Sequence, residues 1–162
     1  MTPASQKHPF GPFYRPDSRI LILGSFPSVK SREQRFFYGH PQNRFWRVLA
    51  ALYQAPIPVS IPEKETLLIK NRIALWDVIG ACTIAGSSDS SIADVVPNDF
   101  SPILAAAPIE RIFVNGRTAE KYYLQYQKTR LGRDAVALPS TSPANAACSL
   151  ERLLDAWKIL LS

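Results

Sequence analysis

Four short apolar runs most constrain what this chain can fold into. They are residues 19–23 (RILIL), 73–78 (IALWDV), 111–114 (RIFV) and 135–138 (AVAL). Each is continuously apolar at its centre, as expected of parallel strands that helices cover on both faces. The segments between them have helical spacing, so strands and helices alternate. The sequence therefore predicts an α/β fold, a three-layer α/β/α sandwich around a central four-stranded parallel sheet.

Two segments have the clear periodicity of amphipathic helices. The first, residues 45–53 (FWRVLAALY), places its apolar side chains on one stripe. In the second, residues 150–161, leucines and a tryptophan recur at i, i+3, i+4 and i+7 opposite charged residues. Both helices are interpreted as packing elements. The Pro-rich residues 55–62 and the Gly/Ser-rich residues 86–91 are predicted loops, because neither separates two segments large enough to hold their own cores.

Size and composition limit the class of protein. The chain has 162 residues, of which 46% are apolar, enough for one core, so a single domain over residues 1–162 is expected. No apolar run approaches the roughly 20 residues of a membrane helix, and the first residues lack the apolar stretch of a signal peptide. We therefore expect no membrane partner and a monomeric cytoplasmic protein, nucleoid-associated in a prokaryote. Cys82 and Cys148 cannot supply an iron–sulfur cluster or a four-cysteine zinc site, and a cytosolic setting disfavours a bridge between them.

The net charge of +6 is concentrated in two segments. Residues 30–47 and residues 117–133 each carry five basic side chains and one acidic one, so the remainder of the chain is net negative. Two solvated helix faces would explain this pattern as well as a phosphate-binding surface would. Both interpretations remain open on charge alone.

Small polar loops follow all four predicted strands. They are residues 24–28 (GSFPS), 77–82 (DVIGAC), 115–116 (NG) and 139–145 (PSTSPAN). Ligands of parallel sheets bind beyond the carboxyl ends of the strands, and such residues leave backbone N–H groups free to approach a phosphate or a base edge. Turn formation selects the same residue types, so no single loop is decisive.

Residues 36–46 (FFYGHPQNRFW) combine aromatic, amide and basic side chains just before a predicted helix. Aromatic rings can stack on bases, amides can read a base edge or hold a water, and arginine binds phosphate. Phe45 and Trp46 are interpreted as core residues of the helix. For Asn43, a helix-capping role and a catalytic role compete.

The segments GSFPS, GHPQNRFW and STSPANA together resemble the motifs of the uracil-DNA glycosylase superfamily. They are most similar to its hypoxanthine-DNA glycosylase (deoxyinosine glycosylase) branch, and the similarity covers nearly the whole chain in order. It implies a monofunctional DNA glycosylase that flips out a deaminated base of DNA and hydrolyses its N-glycosidic bond in base excision repair. Hypoxanthine is the first candidate, with xanthine and uracil after it. The alternative is a non-catalytic nucleic-acid- or nucleotide-binding module of the same fold.

The resemblance also implies roles for single residues. Asn43 would orient the attacking water or stabilise the oxocarbenium-like sugar, and Asn115 would hydrogen-bond the base or the leaving group. The backbone amides of Ser25 and Phe26 would contact the base edge, and the ring of Tyr38 would stack on the flipped base. DNA contacts are expected from Ser140, Thr141, Ser142, Asn145, Arg44, Arg117 and Lys121.

Three positions depart from the family's motifs. The third residue of the Gly-x-x-Pro loop, an asparagine that is catalytic in the mismatch-specific uracil branch, is Phe26 here, so catalysis is assigned to Asn43. The second motif lacks the histidine that helps a uracil anion leave, which would suit a purine assisted at a ring nitrogen. Ala144 stands where the uracil branch has a leucine wedge, so weakly paired or single-stranded lesions are the expected substrates.

No metal and no cofactor are expected. The histidines are His8 and His40, and neither is spaced with a cysteine as zinc ligands usually are. A serine nucleophile served by His40 and Asp77 is disfavoured, because no Gly-x-Ser-x-Gly turn is present. A phosphate-binding GSFPS loop without chemistry would lack the lysine of a P-loop and would leave GHPQNRFW unexplained.

Overall fold

The computed structural model describes residues 2–162. Its strands are β1 (Ala4–Lys7), β2 (Ile20–Gly24), β3 (Ile73–Asp77), β4 (Ile79–Ile84), β5 (Ala93–Pro97), β6 (Arg111–Asn115) and β7 (Val136–Leu138). Its helices are α1 (Val29–Gln34), α2 (Phe45–Leu52), α3 (Ile61–Lys70), α4 (Ser101–Ala106), α5 (Arg117–Tyr126), α6 (Lys128–Leu131) and α7 (Leu150–Trp157).

The predicted parallel sheet is confirmed. Strands β2, β3, β6 and β7 form it in the order β3-β2-β6-β7, and every residue of β2 and β3 is buried. Helix α3 packs against β3, α5 packs against β6, and α2 contacts α7. The fold is thus the predicted α/β/α arrangement, with the carboxyl ends of the four strands at one edge.

A second sheet was not predicted. It is antiparallel, in the order β1-β4-β5. Strand β1 (ASQK) is polar and mostly exposed, and β5 (ADVVP) is also largely exposed, so neither has the apolar pattern of a strand. One residue, Val78, separates β3 from β4, and four of the six residues of β4 fall in the segment 77–82 that the sequence predicted as a loop. Pairing of β1 with β4 continues into a hydrogen bond from the His8 N–H to the Gly80 carbonyl, 2.8 Å long.

Local sequence signals account for the ends of several helices. Helix α3 begins with a capping box, in which Ser60 and Glu63 bond each other's backbone N–H, so the predicted loop ends at residue 60. Helix α7 begins at the cap Ser149 and is continued to Leu161 by a 3₁₀ turn, so the predicted closing helix is confirmed. Its buried side chains, including Trp157, join one apolar cluster that spans the sheet and its helices.

Within residues 2–162, no helix combines the length and the apolar character that crossing a bilayer requires.

Candidate functional site

A cavity of about 250 Å³ lies at the carboxyl ends of β2, β3 and β6. Most of the predicted site residues line it, namely Ser25, Phe26, Tyr38, Asn43, Asn115, Ser140, Thr141 and Ser142. They come together because parallel strands end at the same edge of a sheet, and the loops that follow the strands converge there. The side chains and backbone groups of this cavity can be assigned one by one.

The loop after β2 presents two free backbone donors. The carbonyls of Gly24 and Ser25 accept hydrogen bonds from the N–H groups of Val78 and Ile79, at 2.9 and 3.1 Å, which fixes the loop on the neighbouring strand. The N–H groups of Ser25 and Phe26 donate to no acceptor among residues 2–162. They are therefore available to an acceptor in the cavity, as predicted for a base edge.

Phe26 contributes its backbone to the cavity while its side chain packs in the core. Phe26 is 7% exposed, and its ring centroid lies 5.8 Å from that of His8. The guanidinium carbon of Arg32 lies over the ring, 5.7 Å from its centroid. Arg32 also donates to the carbonyls of Pro27 and Gly86, at 2.7 and 3.1 Å. A basic residue of the first charged segment thus ties two cavity loops together.

Tyr38 stands on the cavity wall in a backbone conformation with φ of +54°. Its ring stacks on Phe45, with centroids 4.0 Å apart and planes inclined by 22°. The hydroxyl is buried and has no hydrogen-bond partner within the described part of the chain. Burial, together with the nearby charge of Asp77, raises the pKa of Tyr38 well above its usual range, so the phenol stays neutral. Stacking of this ring on a base stays a prediction.

Asn43 makes the hydrogen bond expected of a helix-capping residue, while its catalytic role stays a prediction. Its side-chain oxygen accepts a 2.9 Å hydrogen bond from the backbone N–H of Phe45, in the first turn of α2. Because a backbone N–H must face an oxygen, the amide nitrogen of Asn43 points elsewhere, and it has no partner within residues 2–162. The bond therefore leaves the NH₂ group of this cavity-lining residue free.

Asn115 and Thr141 bond each other at the end of β6. The Asn115 amide nitrogen donates to the Thr141 hydroxyl at 3.0 Å, and its oxygen accepts from the Thr141 N–H at 3.1 Å. Thr141 is completely buried and its hydroxyl is bonded inside the protein; a contact of this residue with DNA stays a prediction. The second amide N–H of Asn115 has no acceptor in good geometry among residues 2–162, and the amide lies next to the Tyr38 hydroxyl.

Arg44 also has an internal role. Its guanidinium donates to the carbonyls of Cys148 and Asn145, and its backbone N–H donates to the Thr141 carbonyl at 3.1 Å. These bonds hold the loop after β7 against the start of α2. The interpretation of Arg44 as a phosphate ligand came from its charge, which is used here to bind carbonyl groups; a contact with DNA stays a prediction.

Sequence reasoning missed a buried pair beneath the cavity. The carboxylate of Asp77, at the end of β3, lies 2.7 Å from Nε2 of His8, and the two side chains are 6% and 3% exposed. The disfavoured triad had paired Asp77 with His40, whose Nδ1 instead accepts from the backbone of Gln42. No local signal could have joined residues 69 positions apart through a polar strand.

Asp89 is a second acidic residue at the cavity. The residue is exposed, and the Ser25 hydroxyl donates to its two carboxylate oxygens at 3.3 and 3.2 Å. Local desolvation of the carboxyl group at the rim raises the pKa of Asp89, and the bond from Ser25 opposes that rise.

A wider groove of about 860 Å³ adjoins the cavity. The two share Asp89, Asn115, Ser140 and Ser142, and the groove continues past Asn145 and Arg117 at the start of α5. Arg117 and Lys121 are both exposed, and neither forms an ion pair with the described residues. Ser140, Ser142, Asn145 and Arg117 thus border one groove, while their contacts with DNA stay predictions.

No group of three histidine, cysteine, aspartate or glutamate side chains is placed to hold a metal ion in residues 2–162. Cys82 and Cys148 are both free thiols.

Comparisons with known proteins agree with the motifs. The model of the uracil DNA glycosylase superfamily matches residues 12–161. A protein of Methanosarcina acetivorans named hypoxanthine DNA glycosylase is 38% identical over 138 residues, covering 84% of this chain and 86% of its own. A protein of the same name from Methanosarcina barkeri is 32% identical over 154 residues, covering 94% and 96%. A solution NMR structure of a candidate uracil DNA glycosylase from M. acetivorans superposes with a TM-score of 0.79 at 34% identity, covering 96% of this chain and 99% of that one.

Proposed function

Because this chain belongs to the uracil DNA glycosylase superfamily, we propose that it is a monofunctional DNA glycosylase acting in base excision repair. It flips a deaminated base out of DNA and hydrolyses the bond between that base and deoxyribose. Hypoxanthine is the proposed base, with xanthine and uracil as further substrates. The names of the two Methanosarcina relatives support hypoxanthine, and the cavity supports a base taken out of the helix, since a base inside the stack could not enter it.

One observation carries this proposal. Asn43, Ser25 and Phe26 line the same cavity, and the NH₂ group of Asn43 and the backbone N–H groups of Ser25 and Phe26 have no acceptor among residues 2–162. In the reaction, the C1′–N bond breaks and its electron pair leaves with the base. Water adds its oxygen to C1′ and gives up a proton, which the departing base finally takes up. Fixed donors aimed at the leaving base stabilise the negative charge that develops on it.

The remaining cavity groups supply binding and position. Asn115 retains one N–H for the base or the leaving group, and Tyr38 offers an aromatic ring beside it. Asn43 is assigned the water or the oxocarbenium-like sugar, because its NH₂ group is held by the bond of its oxygen to α2.

The test is release of free base from oligonucleotides that contain deoxyinosine or deoxyuridine. We expect hypoxanthine to be released with the strand left uncleaved, since water is the nucleophile. A protein–DNA adduct trapped by borohydride would instead indicate an amine nucleophile. Tight binding of the deoxyinosine oligonucleotide without any release would favour the non-catalytic binding module.

Base release is expected to be unchanged by EDTA. In the proposed reaction, amide and backbone N–H groups stabilise charge that a metal ion would otherwise stabilise. The measurement is the single-turnover rate of hypoxanthine release before and after dialysis against EDTA, with added Mg²⁺ or Zn²⁺ as controls. Loss of activity in EDTA that one of these ions restores would contradict the prediction.

The double variant Arg117→Ala/Lys121→Ala is expected to weaken the salt dependence of DNA binding. Each phosphate contact releases condensed counterions, so log affinity falls with log salt at about −0.7 to −0.9 per contact. We expect the slope to become shallower by about one to two units, with little effect on the chemical step at saturating enzyme.

A matched control for this double variant is Arg15→Ala/Lys70→Ala, which removes the same charge from exposed positions preceding β2 and β3, at the opposite edge of the sheet. This control is expected to keep the parent slope. Equal slopes for the parent and the Arg117/Lys121 variant would show that these two side chains are only solvated and do not contact phosphates.

We further propose that residues 1–162 act as one domain and as a monomer, in the cytoplasm and, in a prokaryote, at the nucleoid. Light scattering with and without a deoxyinosine oligonucleotide tests the monomer, and a dimer mass in either sample would contradict it.

A further inference from the structure

The pair formed by His8 and Asp77 links the second sheet to the base cavity. Asp77 lines the cavity, whereas His8 lies behind it, on the segment that follows β1. The superfamily model matches residues 12–161, so His8 lies outside the part of the chain that the family describes. The pair thus adds something to the site that membership of the family does not assign.

The surroundings of His8 determine which atom carries the hydrogen. The ring is enclosed by Phe10 and Trp76 at 4.5 Å and by Phe26 at 5.8 Å between centroids. Nδ1 is buried without a partner in the described residues. A hydrogen on Nδ1 would be an unpaired donor in apolar surroundings, which is costly. A neutral ring that donates from Nε2 to Asp77 avoids this cost, so Asp77 acts as the acceptor.

The second carboxylate oxygen of Asp77 is left for the cavity. Oδ2 is bonded to His8. Oδ1 lies only 2.5 Å from the point where a Cβ on Gly24 would stand, and the Tyr38 hydroxyl lies 3.0 Å from that point. The glycine therefore leaves room for Oδ1 to sit immediately beside the loop that carries the free N–H groups of Ser25 and Phe26. The cavity presents an acceptor next to donors.

This arrangement matches one class of base edge. Hypoxanthine, xanthine and uracil each carry a carbonyl next to a ring N–H, the lactam edge, while adenine and cytosine carry an amino group next to a bare ring nitrogen. Guanine has the lactam edge as well, with an added 2-amino group. Resting on the proposed function, we propose that Asp77 accepts a hydrogen bond from the ring N–H of a flipped lactam base, and that His8 is the residue that positions it.

The test compares hypoxanthine with N1-methylhypoxanthine, which lacks the ring N–H, in otherwise identical oligonucleotides. Single-turnover base release by the parent protein is expected to favour hypoxanthine by roughly ten- to a hundredfold, as for loss of a hydrogen bond to a charged group. Asp77→Asn is expected to reduce this ratio to about threefold or less. Asparagine has the same size, so extra room for the methyl group cannot explain the reduction.

His8 is tested by the same ratio. His8→Leu is expected to lower the ratio, because the carboxylate loses the donor that holds it. His8→Gln is expected to restore much of it, because the glutamine NH₂ group can occupy the place of Nε2. Phe10→Leu is the control for packing damage: it removes part of the wall around His8 and leaves the His8–Asp77 bond. It should lower the melting temperature without changing the ratio.

The outcomes separate this inference from the proposed function. If the parent protein releases hypoxanthine but Asp77→Asn and His8→Leu keep the parent ratio, the inference is overturned and the glycosylase proposal stands. If the parent releases no base, the glycosylase proposal is overturned, and equilibrium binding of the two oligonucleotides supplies the same ratio. Loss of the binding preference in both variants would then support the lactam contact, and an unchanged preference would overturn it.

Discussion

Asn43→Ala is expected to slow the release of hypoxanthine by about two to four decades while DNA binding is largely retained. The variant removes the free NH₂ group of a cavity-lining residue, and this range is usual for loss of a group that positions a water or stabilises transition-state charge. It also removes the cap on the Phe45 N–H, which should cost about 1 kcal/mol of unfolding free energy. Single-turnover rates and chemical denaturation measure the two effects separately.

Asn43→Ser separates capping from catalysis. A serine hydroxyl can accept the hydrogen bond from the Phe45 N–H, so the helix keeps its cap, but serine offers no amide group to the cavity. We expect stability close to that of the parent and base release nearly as slow as in Asn43→Ala. If Asn43→Ser releases hypoxanthine at the parent rate, the cap is the whole role of this residue and another group must serve the reaction.

Gly24→Ala is expected to slow base release by about a hundredfold, the effect of displacing reacting or binding groups by about 1 Å. The added methyl group would stand 2.5 Å from Oδ1 of Asp77 and 3.0 Å from the hydroxyl of Tyr38. Neither group can move freely, because Asp77 is bonded to His8 and the Tyr38 ring stacks on Phe45. Overpacking of this kind should also cost about 1–3 kcal/mol of stability.

The matched control is Gly11→Ala, where an added methyl group meets nothing within 4 Å. It should match the parent in both base release and melting temperature. A Gly24→Ala protein that folds and releases hypoxanthine at the parent rate would show that the floor of the cavity tolerates displacement, and would weaken the role given to Asp77.

The parallel sheet could be predicted because its strands are buried on both faces and therefore apolar throughout. The antiparallel sheet could not, since β1 places one side chain after another in partly or fully solvated positions. Residues 4–7 form a strand because their backbone pairs with β4, where Ala4 lies opposite Ile84. Pairing over such a distance leaves no local pattern, because the hydrogen bonds are made by the backbone.

The candidate site shows the same division. Asn43 and Asn115 could be predicted to meet because each is close in sequence to a strand end or a loop that must lie at one edge. The bond from the Phe45 N–H to Asn43 is local and agrees with the helix-capping role that the sequence allowed. The two bonds between Asn115 and Thr141 join residues 26 positions apart and leave no local signal. The charge of Arg44 gave no sign that its guanidinium binds carbonyl groups of a loop about 100 residues away.

Strand β1 lies at the edge of its sheet and pairs with β4 alone. A four-residue edge strand is among the first elements to open in a native-state fluctuation, well below the cost of global unfolding. Each such opening would carry His8 away from Asp77, while the parallel sheet and the rest of the cavity stayed in place. The fraction of molecules in which His8 holds Asp77 thus depends on fraying of a strand that does not line the cavity. Hydrogen exchange at Gln6 and His8, whose N–H groups lie on the β4 side of the strand, would report that fraction.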